Sequence, residues 1–173
     1  MPSSRLIAAL VLAFAALSVK AAPAQNAAPF AKVAFYFAAH EDDWQLFMNP
    51  SAFEDVADPK TKTVFVHTTA GDAGLGTGKR GRKHPYYLAR ENGAETAVRF
   101  MADSRELPVE KTVTRMSFNG HDIDRMSYRN TVVYFLRLPD GSLTGDGYDS
   151  TGRQSLRRLA NGDISVATAI DGS

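Results

Sequence analysis

Short apolar runs alternate along the chain with segments whose apolar residues are spaced at helical intervals. Residues 32–39 read as a first strand, and they deliver His40, Glu41, Asp42 and Asp43 at its carboxyl end. Residues 44–56 carry spaced apolar positions that predict a short helix interrupted at Pro50. Residues 61–69 are β-branched and apolar enough for a second strand, which also runs into a polar, glycine-rich segment at 70–81. Residues 86–103 predict a helix, because Tyr87, Leu88, Ala94, Ala97, Val98 and Met101 recur at its period while Arg90, Glu91, Glu95 and Arg99 mostly face elsewhere. A third and a fourth strand are expected at 111–118 and 131–138, a short helix at 155–162 and a further strand at 164–170. Strands alternating with helices predict an α/β fold, a three-layer α/β/α arrangement around a mostly parallel sheet. Ligands of such sheets bind beyond the carboxyl ends of the strands, where His40 and Asp72 both fall.

The amino-terminal pattern differs from the rest. Arg5 precedes an apolar run at 6–17, and small residues suited to cleavage follow around Ala21 and Ala24. This is the pattern of a secretory signal peptide over residues 1–24, followed by a linker at 25–31 and one domain at 32–173. The run is too short to span a bilayer comfortably, and no later stretch is long and apolar enough, so no integral membrane segment is expected after cleavage. The reading is an exported protein, periplasmic or secreted. The chain has 173 residues and no cysteine, so stability must come from packing and from any bound ion rather than from disulfides. Its formal net charge of +1 suggests neither nucleic acid nor an anionic membrane as a partner. Oligomeric state is not readable.

The chemistry concentrates at 40–43. An imidazole at a strand end and a carboxylate three residues on can converge on one ion, leaving the carboxylate between them free as a base; divalent zinc accepts such nitrogen and oxygen ligands. The competing reading is that Asp42 or Asp43 caps the following helix.

The sequence HEDD after the first strand, VHTTAGDAG after the second and ARENGA in the long helix resemble the PIG-L or LmbE-like deacetylases. The segment YFLRLPDGSLTGDGY at 134–148 is similar to an exported bacterial and fungal branch of that family, and the similarity runs from about Lys32 to Ser173. The resemblance implies a Rossmann-like fold and a zinc-dependent hydrolase that removes acetyl groups from N-acetylglucosamine-type sugars or conjugates. It further implies that His40 and Asp43 ligate the metal, that Asp42 is the general base on the metal-bound water, and that Arg90 contacts substrate.

The family signature AHPDDE stands here as AHEDDW. Glu41 adds a charge beside the ion, and Trp44 either walls a sugar ring or packs inward. Gly71, Asp72, Ala73 and Gly74 offer amides and a carboxylate to a ligand, which makes Asp72 a further substrate-binding candidate. The family's third ligand comes from a downstream histidine motif resembling HPDH, which is absent, and the expectation is a deacetylase-like domain truncated at its C-terminus. His67 is the best substitute among the remaining histidines, although a histidine bonded within its strand is the commoner meaning. His84 and His121 read as solvated, the basic run KRGRKH at 79–84 either as a solvated loop or as a grip for an anionic substrate, and Asp140, Asp146 and Asp149 as turn formers. The alternative function is an inactive carbohydrate-binding relative using the same crevice. A receiver-type signalling domain fits less well, because the export pattern and His40 are foreign to it.

Overall fold

The computed structural model describes residues 30–104, 109 and 111–173. The expected leader and most of the linker lie outside the described residues. The fold is mixed α/β. Strands β1 (Lys32–Ala38), β2 (Thr61–Thr69), β3 (Thr112–Phe118), β4 (His121–Tyr128) and β5 (Thr131–Leu138) form a five-stranded sheet in the order β1-β2-β5-β4-β3. Helices α1 (Asp43–Phe47) and α2 (Ser51–Ala57) link β1 to β2, α3 (Tyr86–Ala102) follows β2, and α4 (Leu156–Asn161) lies beyond β5.

The parallel core is β1-β2-β5, whereas β4 runs antiparallel to both β5 and β3. The sheet is therefore mixed rather than mostly parallel, and β4 is a strand the hydrophobic pattern did not reveal. Its sequence, HDIDRMSY, lacks a clean alternation. The two-residue loop Asn119-Gly120, both at positive φ, turns β3 directly into β4, as Asn-Gly does in tight hairpins. His121 accordingly opens a strand, although it is exposed as expected. Residues 164–170 form no strand. The interrupted helix is observed as α1 and α2, with Pro50 at the start of α2, where its missing N–H costs nothing.

Helices α1, α2 and α3 share one core with the sheet. Trp44 and Val56 meet Phe65, Val133 and Phe135 on the strands and Ala94, Val98 and Met101 on α3. Burying side chains of this size typically contributes about 1.5–3 kcal/mol each. Two acidic residues of α3 break the expected pattern by pointing inward. Glu95 meets Lys111 at 2.5 Å, and Glu91 pairs with Arg137 through two bonds of 2.7 and 2.8 Å.

Arg137 sits where the β2–β5 register slips between His67 and Thr69, with its own φ at +54°. Its guanidinium also meets Asp124 of β4 and Asp171 near the end of the chain, each at 2.6 Å. Four hydrogen bonds offset a backbone cost of the order of 1 kcal/mol. On β1, the face away from the helices is open: Val33, Phe35 and Phe37 are all more than half exposed. No helix among the described residues is long and apolar enough to cross a membrane.

Candidate functional site

The carboxyl ends of β1, β2 and β5 are neighbours in the sheet, so the three loops that leave them converge. After β1, the chain turns tightly into α1. The Asp43 carboxylate accepts the His40 amide at 2.9 Å, and the His40 carbonyl accepts the Asp43 amide at 3.4 Å. This reciprocal turn places ligand atoms of His40, Asp42 and Asp43 within 4.8 Å of one another. Asp42 occupies the N-cap position of α1 yet makes no side-chain cap bond. Its carboxylate is exposed and instead takes a 2.6 Å bond from Arg90. The capping reading thus fails for Asp42, while Asp43 both ties the turn and faces the His40 ring, Oδ2 to Nδ1 at 3.9 Å.

Arg90 reaches this turn from the second helical turn of α3. It meets Asp42, the Gly71 carbonyl at 3.0 Å and the buried Glu41 at 3.1 Å. A side chain at Gly71 would collide with both members of the pair, at 2.5 Å from Glu41 and 2.8 Å from Arg90, and its φ of +51° also suits glycine. Burial pushes the Glu41 carboxyl up to about 7 despite the neighbouring guanidinium. Glu41 thereby becomes the floor on which Arg90 rests.

Asp140, expected only to form a turn, approaches from the loop after β5. Its Oδ1 lies 3.5 Å from His40 Nε2. The two groups shift each other: Asp140 holds the imidazole above its ordinary value against the opposing effect of burial, and His40 holds the Asp140 carboxyl below the usual range. Asp140 is fixed by amides of Ala73 and Ser142. The signal available in sequence was positional, an aspartate just past the end of a strand adjoining β2.

Asp72 is fully buried, and its two carboxylate oxygens take the amides of Gly76 at 2.6 Å and Asp140 at 3.2 Å. It bolts the loop after β2 to the loop after β5 rather than presenting a free carboxylate to a ligand. Trp44 is also buried, its ring tilted against Phe65 at 4.8 Å, so the inward-packing reading describes its position. His67 lies beneath the site on β2, stacked on Phe135 at 5.1 Å. It is fully buried, and burial pushes its imidazole down to about 4. The structure does not bring it into the His40, Asp42 and Asp43 group. His84 is exposed, and Asp146 and Asp149 make surface ion pairs with Arg157 and Arg153.

The donor set of one imidazole and two carboxylates has the chemistry zinc accepts. Asp42 is already engaged by Arg90, which leaves His40 and Asp43 as the pair best placed to hold an ion, with Asp140 beside them. Comparison of the chain with protein-family models, with curated proteins and with solved structures finds no match.

Proposed function

We propose that the loops after β1, β2 and β5 form the site of an exported, zinc-dependent N-deacetylase acting on an N-acetylglucosamine-type sugar or conjugate. The fold we propose behind it is a Rossmann-like, three-layer arrangement. The observation that carries this reading is the convergence of His40, Asp42 and Asp43 within 4.8 Å at the end of β1. The PIG-L or LmbE resemblance supports the assignment of roles, and the apolar run at 6–17 supports export.

His40 and Asp43 would hold the ion, which supplies Lewis-acid polarisation of an acetamide carbonyl and makes water a better nucleophile near neutral pH. Asp42 is the general base. It sits between the two ligands in sequence, keeps its carboxylate exposed and has its orientation set by Arg90. Arg90 presents one nitrogen to Asp42, and its remaining N–H groups would bind substrate hydroxyl or carbonyl oxygens beside it. Hydrolysis breaks the amide C–N bond, adds water across it and releases acetate and a free amine.

A second reading, a sugar-binding relative without hydrolysis, is favoured by one observation. Among the described residues His40 is the sole histidine in the cluster, whereas catalytic zinc generally has three protein ligands. Zinc content by elemental analysis, measured beside acetate release from N-acetylglucosamine conjugates, separates the two. His40→Ala and Asp43→Ala should lose metal and turnover together. Asp42→Asn should keep metal and lose roughly two to four orders of magnitude in rate. A parent that binds sugar but no metal establishes the second reading instead.

A further inference from the structure

The loop at 79–84 carries Lys79, Arg80, Arg82, Lys83 and His84, and all five are exposed. Elsewhere most cations have acidic partners: Lys32 with Asp55, Lys111 with Glu95, Arg115 with Asp124, Arg137 with three carboxylates. Among the described ion pairs, none involves a residue of this loop. The chain as a whole is nearly neutral, so this concentration of uncompensated charge is local.

The loop is held in a defined place. The Tyr86 amide bonds to the Gly78 carbonyl at 3.0 Å, and the Arg82 amide to the Lys79 carbonyl at 2.8 Å. The guanidinium groups of Arg80 and Arg82 lie 5.2 and 5.6 Å from the centre of the Tyr86 ring, so one aromatic ring orders two cations. Tyr86 is the first residue of α3 and Arg90 lies four residues on, hence on the same helix face about one turn away. Arg90 in turn touches Asp42. Tyr86, with the two unpaired guanidinium groups beside its ring, therefore stands one helical turn along α3 from Arg90, the residue that touches the candidate catalytic turn.

We infer that Arg80, Arg82 and Tyr86 form a subsite for a carboxylate-bearing sugar adjoining the sugar whose acetamide lies at His40 and Asp43, so that the substrate is an acidic rather than a neutral glycan. The inference rests on the deacetylase reading for its placement but not for its test. Guanidinium groups match a carboxylate with paired donors, and a tyrosine edge offers apolar surface to a pyranose ring. One saccharide unit spans about the distance of one helical turn, which is the spacing between Tyr86 and Arg90.

Calorimetric titration tests this with trigalacturonate as the acidic probe and triacetylchitotriose as the neutral one. The intact protein should bind trigalacturonate more tightly than the neutral trimer. The double variant Arg80→Gln/Arg82→Gln should lose at least about tenfold in affinity for the acidic probe and none for the neutral one, with the loss shrinking as salt rises. Both side chains are exposed, so the variant should fold; an unchanged melting curve verifies that. The acidic probe should still bind in excess chelator, so a failure of the zinc reading leaves this result standing. Equal affinity of parent and double variant for trigalacturonate overturns the inference. So does binding to phosphatidylglycerol vesicles, lost in the double variant, without binding of trigalacturonate, which would make the loop a membrane contact.

Discussion

Asp140 stands 3.5 Å from His40, its Oδ1 facing the ring nitrogen Nε2, and the two residues come from the loops after β5 and β1. The aspartate strengthens the hold of the imidazole on its proton, and an incoming cation must displace that proton to bind.

Zinc affinity should therefore fall as pH drops through the raised His40 value, approaching tenfold per pH unit. Asp140→Asn should shift that fall to lower pH, because the imidazole returns toward its ordinary value. Calorimetry at several pH values in two buffers of different ionisation enthalpy reads both the affinity and the proton released. An Asp140→Asn variant that binds weakly at every pH would mean that Asp140 ligates the ion itself.

Removing Arg90 should be felt first at Glu41. Arg90→Met leaves a buried carboxylate without its cation and should cost about 1–3 kcal/mol in urea denaturation. Adding Glu41→Leu to Arg90→Met should recover much of the loss, since the buried carboxyl left without a partner disappears as well. Asp42→Asn should change stability by less than about 0.5 kcal/mol, because that side chain is exposed. Additive effects of the Glu41 and Arg90 changes would show that the two are not coupled.

His67 makes the fold acid-sensitive. Its imidazole titrates at about 4 when buried and near 6.5 when unfolded. Between those values the unfolded chain takes up a proton that the folded chain refuses. Stability therefore falls as pH drops from about 6.5 to about 4, by a total approaching 3 kcal/mol. His67→Leu should remove that part of the acid limb, seen as urea midpoints at pH 7.5, 5.5 and 4.5 in chelator that differ less than those of the parent. Parallel limbs in parent and variant would relieve His67 of this role.

The open face of β1 should bind a hydrophobic dye. Phe35 and Phe37 are exposed and stacked at 6.1 Å, with Val33 on the same side. Dye fluorescence should be marked in the parent and clearly lower in Phe35→Ser/Phe37→Ser, with little loss of stability because neither ring is in the core. A cooperative monomer that binds no dye would show that this face is covered in solution.

The elements legible in the sequence were those whose apolar pattern matches what they bury. β1, β2, β5 and α3 each place Ala, Val, Phe or Met against one core, and their bounds follow the pattern closely. β4 was not legible because, although it lies between β5 and β3, its side chains are largely exposed, half-buried or engaged in the Arg137 network, so Asp122, Asp124 and Arg125 stand where apolar residues would mark a strand. The Asn119-Gly120 pair is the signal in the sequence that marks this hairpin, and a reading of apolar periodicity alone passes over it. At the site, the turn at 40–43 was visible because its residues are contiguous. Asp140 was not, since its approach to His40 depends on β5 lying next to β2, a neighbourhood set by topology. Glu91 and Glu95 were read as outward because charge normally means solvent, and only their cations, Arg137 and Lys111, explain their burial.

Arg137 joins segments that are remote in sequence: Glu91 on α3, Asp124 on β4 and Asp171 near the last residue. If the tail peels away, the guanidinium loses one carboxylate, but Glu91 and Asp124 remain close to each other and must share a single charge. If α3 lifts instead, the tail loses its anchor. Opening either piece thus weakens the other, which is the property of a cooperative unit rather than of a frayed end. Amides of the tail near Asp171 therefore inherit protection from the helix with which they share that guanidinium.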